Sequence, residues 1–255
     1  MFAFLNKGVK ASMLAGVLVA VPTVANAATA MLASNDYVGI SFWTISMAMV
    51  AATIFFLMEA GRLSGKWKTS MTVAGLVTGI AFWHYLRMSD MNAAGEVTTV
   101  YRYVDWLITV PLQIVEFYLI LLAVTAVSSG LFWRLLGASL IMLIFGFLGE
   151  AGLMDSTIAF IPGMAGWIYI LYEIFSGEAA NLSANSKNPG GQFAFNTLKW
   201  IVTAGWAIYP IGYFFGYLAG VTNMDTVNII YNVADLVNKT AFGLAIWAGA
   251  KMDSK

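Results

Sequence analysis

Apolar residues gather into seven runs along the chain, at approximately 37–61, 70–88, 97–124, 131–148, 156–175, 193–218 and 227–250. Roughly 20 apolar residues are enough for a helix to cross the hydrocarbon core of a bilayer. The pattern therefore predicts an all-α membrane protein, a bundle of seven transmembrane helices. Most connections are short, which makes consecutive helices neighbours. The longest, 177–191, is rich in Asn, Ser, Gly and Ala and holds no additional domain. Ahead of the first run, Lys7 and Lys10 precede an apolar stretch at 11–21, then Pro22 and Ala25-Asn26-Ala27. A basic start, a short apolar stretch and an A-x-A site predict a cleavable signal peptide over 1–27. The mature membrane domain is then 28–255, beginning at Ala28 outside the cell.

Charge sets the orientation. Arg62, Lys66, Lys68, Lys187, Lys199, Lys251 and Lys255 fall on one side in a seven-pass count, and Asp36, Asp90, Glu96, Asp155 and Asp225 on the other. The excess of Lys and Arg marks the cytoplasmic side, so the N-terminus is expected outside and the C-terminus inside. Composition agrees: 60% of residues are hydrophobic and 10% charged, against about 25% charged in a soluble domain. Lys plus Arg balance Asp plus Glu at 13 each, which leaves no basic surface for nucleic acid. Cysteine is absent and His84 is the single histidine, which excludes thiolate chemistry and the usual metal clusters.

Against this apolar background the polar exceptions carry the information. Asp235 and Lys239 stand four residues apart in the last run, on one helix face. A lysine at the centre of a membrane helix costs at least about 2.5–3.5 kcal/mol. Two readings remain open from this segment: a structural ion pair, or an amine holding an aldehyde cofactor as a Schiff base. The third run contains Arg102, Asp105, Thr109, Gln113 and Glu116. At about 100° per residue they form one stripe, with Asp105 and Glu116 about 16 Å apart along the axis. Lys239 falls between their depths if the two helices are parallel neighbours. So many polar groups exceed what a packing seam needs. Pro111 and Pro210 lie inside the third and sixth runs, where each removes a backbone hydrogen bond and can kink its helix. Trp206, Tyr209 and Pro210 share a face, as a pocket wall or as plain packing.

Four segments together, RYVDWLITVPLQIVEF, AFWHYLRM, GWAIYP and NVADLVNK, resemble the proteorhodopsins over essentially the whole mature chain. That family consists of bacterial seven-helix retinal proteins of the inner membrane that pump protons outward in light. The resemblance implies that Lys239 carries all-trans retinal as a protonated Schiff base. It implies Asp105 as main counter-ion and first proton acceptor, Asp235 as second counter-ion, and Arg102 as the cation that keeps this acidic pair ionised. Glu116 is then the cytoplasmic proton donor, protonated until needed. His84 would pair with the counter-ion, and Trp43 would reach His84 of a neighbouring subunit in a homo-oligomer, a pentamer or hexamer. Gln113 marks the blue-absorbing subtype, where leucine goes with green. Trp106, Thr109, Phe160, Trp206, Tyr209 and Pro210 match the retinal pocket. Phe160 stands where carotenoid-binding relatives have glycine, so no antenna is expected.

The implied activity is transport rather than enzymatic catalysis. A light sensor of the same fold is the nearest alternative, against which Glu116 argues, because a carboxylic donor speeds a proton return that a sensor does not need. Sodium or chloride pumping fits Asp105, Thr109 and Glu116 less well. From another class, a retinal-free receptor or transporter would leave Lys239 as an ion pair. Colour on adding retinal separates that case.

Overall fold

The computed structural model describes residues 32–221 and 223–253. The signal peptide over 1–27, the mature start at Ala28 and the terminal Lys255 lie outside the described residues. Helices α1 (Tyr37–Ala60), α2 (Gly65–Ala93), α3 (Thr99–Val124), α4 (Ser129–Glu150) and α5 (Ser156–Phe175) follow one another through short turns. A short α6 (Glu178–Asn185) leads into α7 (Pro189–Trp200), which continues through a π-helical turn at Ile201–Gly205, α8 (Ile208–Tyr213) and a second π-helical turn at Phe214–Leu218. The last helix is α9 (Met224–Asp253). Counting 189–218 as one interrupted span, the described residues form the seven expected passes.

Local chemistry explains several of the helix starts. Asp36 accepts a hydrogen bond from Gly39 N at 2.8 Å, and Asp155 accepts from Thr157 N and Ile158 N at 3.0 Å each. Asn188 accepts from Gly191 N at 2.6 Å, with Pro189 supplying a first helical residue that has no N–H to satisfy. Each cap occupies a donor that a helix N-terminus would leave without a partner. The tight turns after α2 and α4 use Gly95 at φ 73° and Gly152 at φ 69°, a backbone region other residues enter at a cost.

Consecutive helices from α1 to α5 pack side by side, and α9 returns against α1, α2 and α7 to close the bundle. Phe117, Phe195 and Phe242 meet at its centre, with ring centroids 5.5 and 6.1 Å apart. Outside, large apolar residues such as Ile54, Leu57, Ile141, Ile144, Ile161 and Ile168 are exposed, the surface a lipid-facing bundle requires. Five spans are long and apolar enough to cross a membrane by themselves: Tyr37–Ala60, Thr99–Val124, Ser129–Glu150, Ser156–Asn185 and Pro189–Leu218. The other two, α2 and α9, have 29 and 30 residues. They are long enough, but they carry His84, Arg87 and Asp90 or Asp235, Lys239 and Lys251. The structure also departs from expectation at two places. The connection 177–191 is largely helical. The sixth span starts at Pro189 rather than 193, because Asn188 caps it.

Candidate functional site

Lys239 on α9 is 3% exposed. Its Nζ donates to Asp105 Oδ2 and, at 2.9 Å, to Asp235 Oδ2. Asp235 is the better supported of the two acids. It accepts from Tyr85 OH at 2.8 Å, Tyr209 OH at 2.6 Å and Trp106 Nε1 at 3.1 Å. Asp105 Oδ1 has no hydrogen-bond partner. His84 Nδ1 stands 3.8 Å from that oxygen and is itself 2.9 Å from the Ile80 carbonyl oxygen.

Arg102 lies buried on α3, but its guanidinium does not bond either acid directly. Its Nη1 donates to Tyr85 OH at 3.1 Å, and Nη2 donates to Asn232 Oδ1 at 2.8 Å and Asn228 Oδ1 at 3.1 Å. Tyr85 thus joins Arg102 to Asp235 by accepting from one and donating to the other. Two cations, Lys239 and Arg102, balance two anions, Asp105 and Asp235. Such neutrality, with each charge hydrogen-bonded, is the condition for holding ions out of water.

A cavity of 100 Å³ opens beside Lys239. Trp106, Val110 and Gln113 of α3 line one wall, Met142, Leu143 and Gly146 of α4 another, and Phe160 and Gly163 of α5 a third. Trp206, Tyr209 and Pro210 from the interrupted span complete it, with Asp235 and Lys239 at its polar end. The Trp106 ring stands edge-on to Tyr209, with centroids 5.1 Å apart. Gln113 is buried and its Nε2 has no partner. An apolar, aromatic-walled space with one amine and its counter-charges at one end suits a long apolar aldehyde. The free amide of Gln113 offers that aldehyde a polar contact along its length.

The other expected residues divide. Thr109 is not a wall of the cavity: its hydroxyl donates to the Asp105 carbonyl oxygen at 2.9 Å, turned back onto its own helix. Glu116 is fully buried at the far end of the α3 stripe, and neither carboxyl oxygen has a hydrogen-bond partner. Ser70 of α2 is its polar neighbour. Trp43 is half-buried on α1, and Trp83, beside His84, is 59% exposed toward the outside of the bundle. Sequence reasoning missed Tyr85, Asn228 and Asn232. The two asparagines had a signal, since they stand seven and three residues before Asp235 and extend the polar face of α9 by two turns. Tyr85 had only its place next to His84.

The fold and this site define a class: seven-helix membrane proteins with a buried, acid-paired lysine on the last helix facing an apolar cavity. Residues 36–252 match the family model described as bacteriorhodopsin-like protein. Over 247 residues the chain is 50% identical to the green-light absorbing proteorhodopsin of Gamma-proteobacterium EBAC31A08, covering 96% of this chain and 98% of the relative. It is also 50% identical over 248 residues to the blue-light absorbing proteorhodopsin of Gamma-proteobacterium Hot 75m4, with the same coverage. The crystal structure of blue light-absorbing proteorhodopsin from Med12 superposes with a TM-score of 0.75 at 58% identity, over 85% of this chain and 99% of that one. The chain belongs to the bacteriorhodopsin-like family.

Proposed function

We propose that this protein is a light-driven outward proton pump that holds all-trans retinal on Lys239 Nζ as a protonated Schiff base. The observation that carries the reading is the buried lysine shared by Asp105 and Asp235 at the end of an aromatic cavity, with Glu116 closed off further along α3. Bound retinal supplies visible-light absorption and a light-driven change of shape. The residues do the rest. Asp105, with one oxygen free, takes the proton, while Asp235, held by three donors besides Lys239, stays ionised. Arg102 supports that charge through Tyr85. Glu116, in apolar surroundings, keeps a proton and returns it toward Lys239. Release from the Asp105 end and resupply from the Glu116 end move one proton along α3 per cycle.

Direction follows from the basic end of the bundle, where Lys66 Nζ donates to the Leu122 carbonyl oxygen near the end of α3. With that end cytoplasmic, the proton leaves the cell. The same reading assigns 1–27 as a signal peptide and 28–255 as the mature protein of a bacterial inner membrane. It also assigns a homo-oligomer in which Trp43 approaches His84 of a neighbour. Blue absorption rests on Gln113, because equal identity to green and blue relatives does not decide the colour.

The test is the pH of an unbuffered suspension of expressing cells given all-trans retinal under blue light, with and without a protonophore. Acidification abolished by the protonophore and slowed by Glu116→Gln is the expected result. Alkalinisation would reverse the orientation. Coloured cells with no pH change would leave a light sensor, and colourless cells would remove retinal from the reading.

A further inference from the structure

The proposed pump leaves one acid on the cavity wall unused. Glu150, the last residue of α4, lines the cavity beside Lys239 and also a second cavity of 270 Å³ at the end of the bundle that holds the starts of α3 and α9. It is the one residue common to the linings of both. Tyr231 OH donates to Glu150 Oε1 at 2.9 Å, and the hydroxyls of Tyr103 and Tyr217 face the same carboxyl. The second cavity also receives Arg102 and Asn228. These groups end the hydrogen-bonded path from Asp235 through Tyr85. Glu96 and Asp225 line the far side of this cavity, toward the water. A carboxyl between a closed site and a polar vestibule, with three phenols around it and a guanidinium on the same cavity, is built to hold and pass a proton.

We propose that Glu150 is the exit group of the pump, which takes the proton leaving Asp105 and gives it to water in the vestibule. In balance, an O–H bond on Asp105 breaks as one forms on Glu150. The Glu150 O–H then breaks as water in the vestibule accepts the proton, which restores both carboxylates. Tyr231 orients the accepting oxygen, and Arg102 stabilises the carboxylate each time it forms. The assignment rests on the proton-pump reading of the site.

The experiment compares wild type and Glu150→Gln, both loaded with retinal in lipid vesicles. It follows a flash with a water-soluble pH dye and, in the same sample, the absorbance change that marks proton arrival on Asp105. A positioned acid–base group contributes about 10²–10⁴-fold to a proton transfer. The expected result is therefore dye acidification delayed at least about tenfold in the variant, with the arrival of the proton on Asp105 unchanged. The amide keeps an oxygen for Tyr231, so a purely structural Glu150 would change thermal stability and leave the dye signal with wild-type timing. That timing overturns the assignment. Tyr231→Phe, which keeps the carboxyl but removes its donor, should delay release by less, and a delay equal to that of Glu150→Gln would move the role to the tyrosine. A wild type that gives no dye signal at all would refute the pump reading instead.

Discussion

Tyr85 is the point at which the arginine and the acid–lysine group meet, and a double-mutant cycle measures how much that junction is worth. Tyr85→Phe removes two hydrogen bonds at once, the donation to Asp235 at 2.8 Å and the acceptance from Arg102 at 3.1 Å. The ring stays, so its contact with Phe42 at 5.9 Å and the stacking of the guanidinium at 5.8 Å persist. Hydrogen bonds to charged groups are worth about 1.5–3 kcal/mol each. Asp235 keeps Tyr209, Trp106 and Lys239, and Arg102 keeps both asparagines, so retained partners recover part of the loss. The expected cost of Tyr85→Phe is about 2–4 kcal/mol. Arg102→Gln leaves two carboxylates facing one lysine, and removing one partner of a buried charge set costs about 3–5 kcal/mol. Because both changes break the same link, the double variant should lose less than their sum by about 1.5–3 kcal/mol. Equilibrium unfolding of the retinal-loaded protein in mixed detergent, followed by loss of colour, gives all four corners of the cycle. Additivity within about 0.5 kcal/mol would mean that Arg102 does not act on Asp235 through Tyr85.

Gln113→Leu should shift the absorption maximum to longer wavelength, because it removes the one amide facing the cavity; an unchanged maximum would take colour tuning away from this position. Acidifying the wild type should also shift the spectrum to the red. In the proposed pump, protonation removes the anion at Asp105 that would stabilise the ground-state cation, so the shift should grow as pH falls and reverse as it rises. Asp105→Asn should absorb at the red-shifted position already at neutral pH, show no further acid shift, and give no light-driven acidification. Gly243→Val should cost about 1–3 kcal/mol by overpacking, since any side chain there meets the fully buried ring of Phe56; detergent-induced bleaching at the wild-type midpoint would contradict this.

How far the sequence speaks depends on whether a feature is local. Apolar runs are local, and all seven passes were legible, though the polar ends of α2 and α9 hid their true lengths. Arithmetic at 100° per residue placed Arg102, Asp105, Thr109, Gln113 and Glu116 on one stripe, and α3 does bury all of them. What each side chain then meets belongs to other helices. Thr109 turned back to its own backbone, and Arg102 reached Asp235 through a tyrosine of α2 rather than bonding either acid. Among 11 tyrosines in an apolar chain, only its place beside His84 marks Tyr85. Its role exists only once α2, α3 and α9 are packed together.

The sixth span makes the same point about the backbone. Pro210 announced an irregularity, yet the backbone departs from the α-helix on both sides of it, at Ile201–Gly205 and at Phe214–Leu218; the first of these turns adjoins the cavity. There Trp206 N bonds to the Ile201 carbonyl, five residues back, at 3.0 Å, and Tyr209 N to the Trp206 carbonyl at 3.2 Å. These shifts release the carbonyls of Val202 and Gly205, which no water reaches within a bilayer. Irregular backbone at that depth is tolerated where protein side chains satisfy it. Trp167 Nε1 donates to Val202 O at 3.0 Å, and Asn238 Nδ2 donates to Gly205 O at 3.0 Å. Trp167 lines the cavity, and Asn238 precedes Lys239. Gly205 has no side chain because a Cβ would run into Asn238. The interrupted helix is therefore tied on one side to the cavity wall and on the other to the helix that carries the lysine. Asn238 Nδ2 also donates to Tyr209 OH at 3.3 Å, so one amide beside Lys239 holds both the irregular turn and an aromatic wall of the cavity to α9.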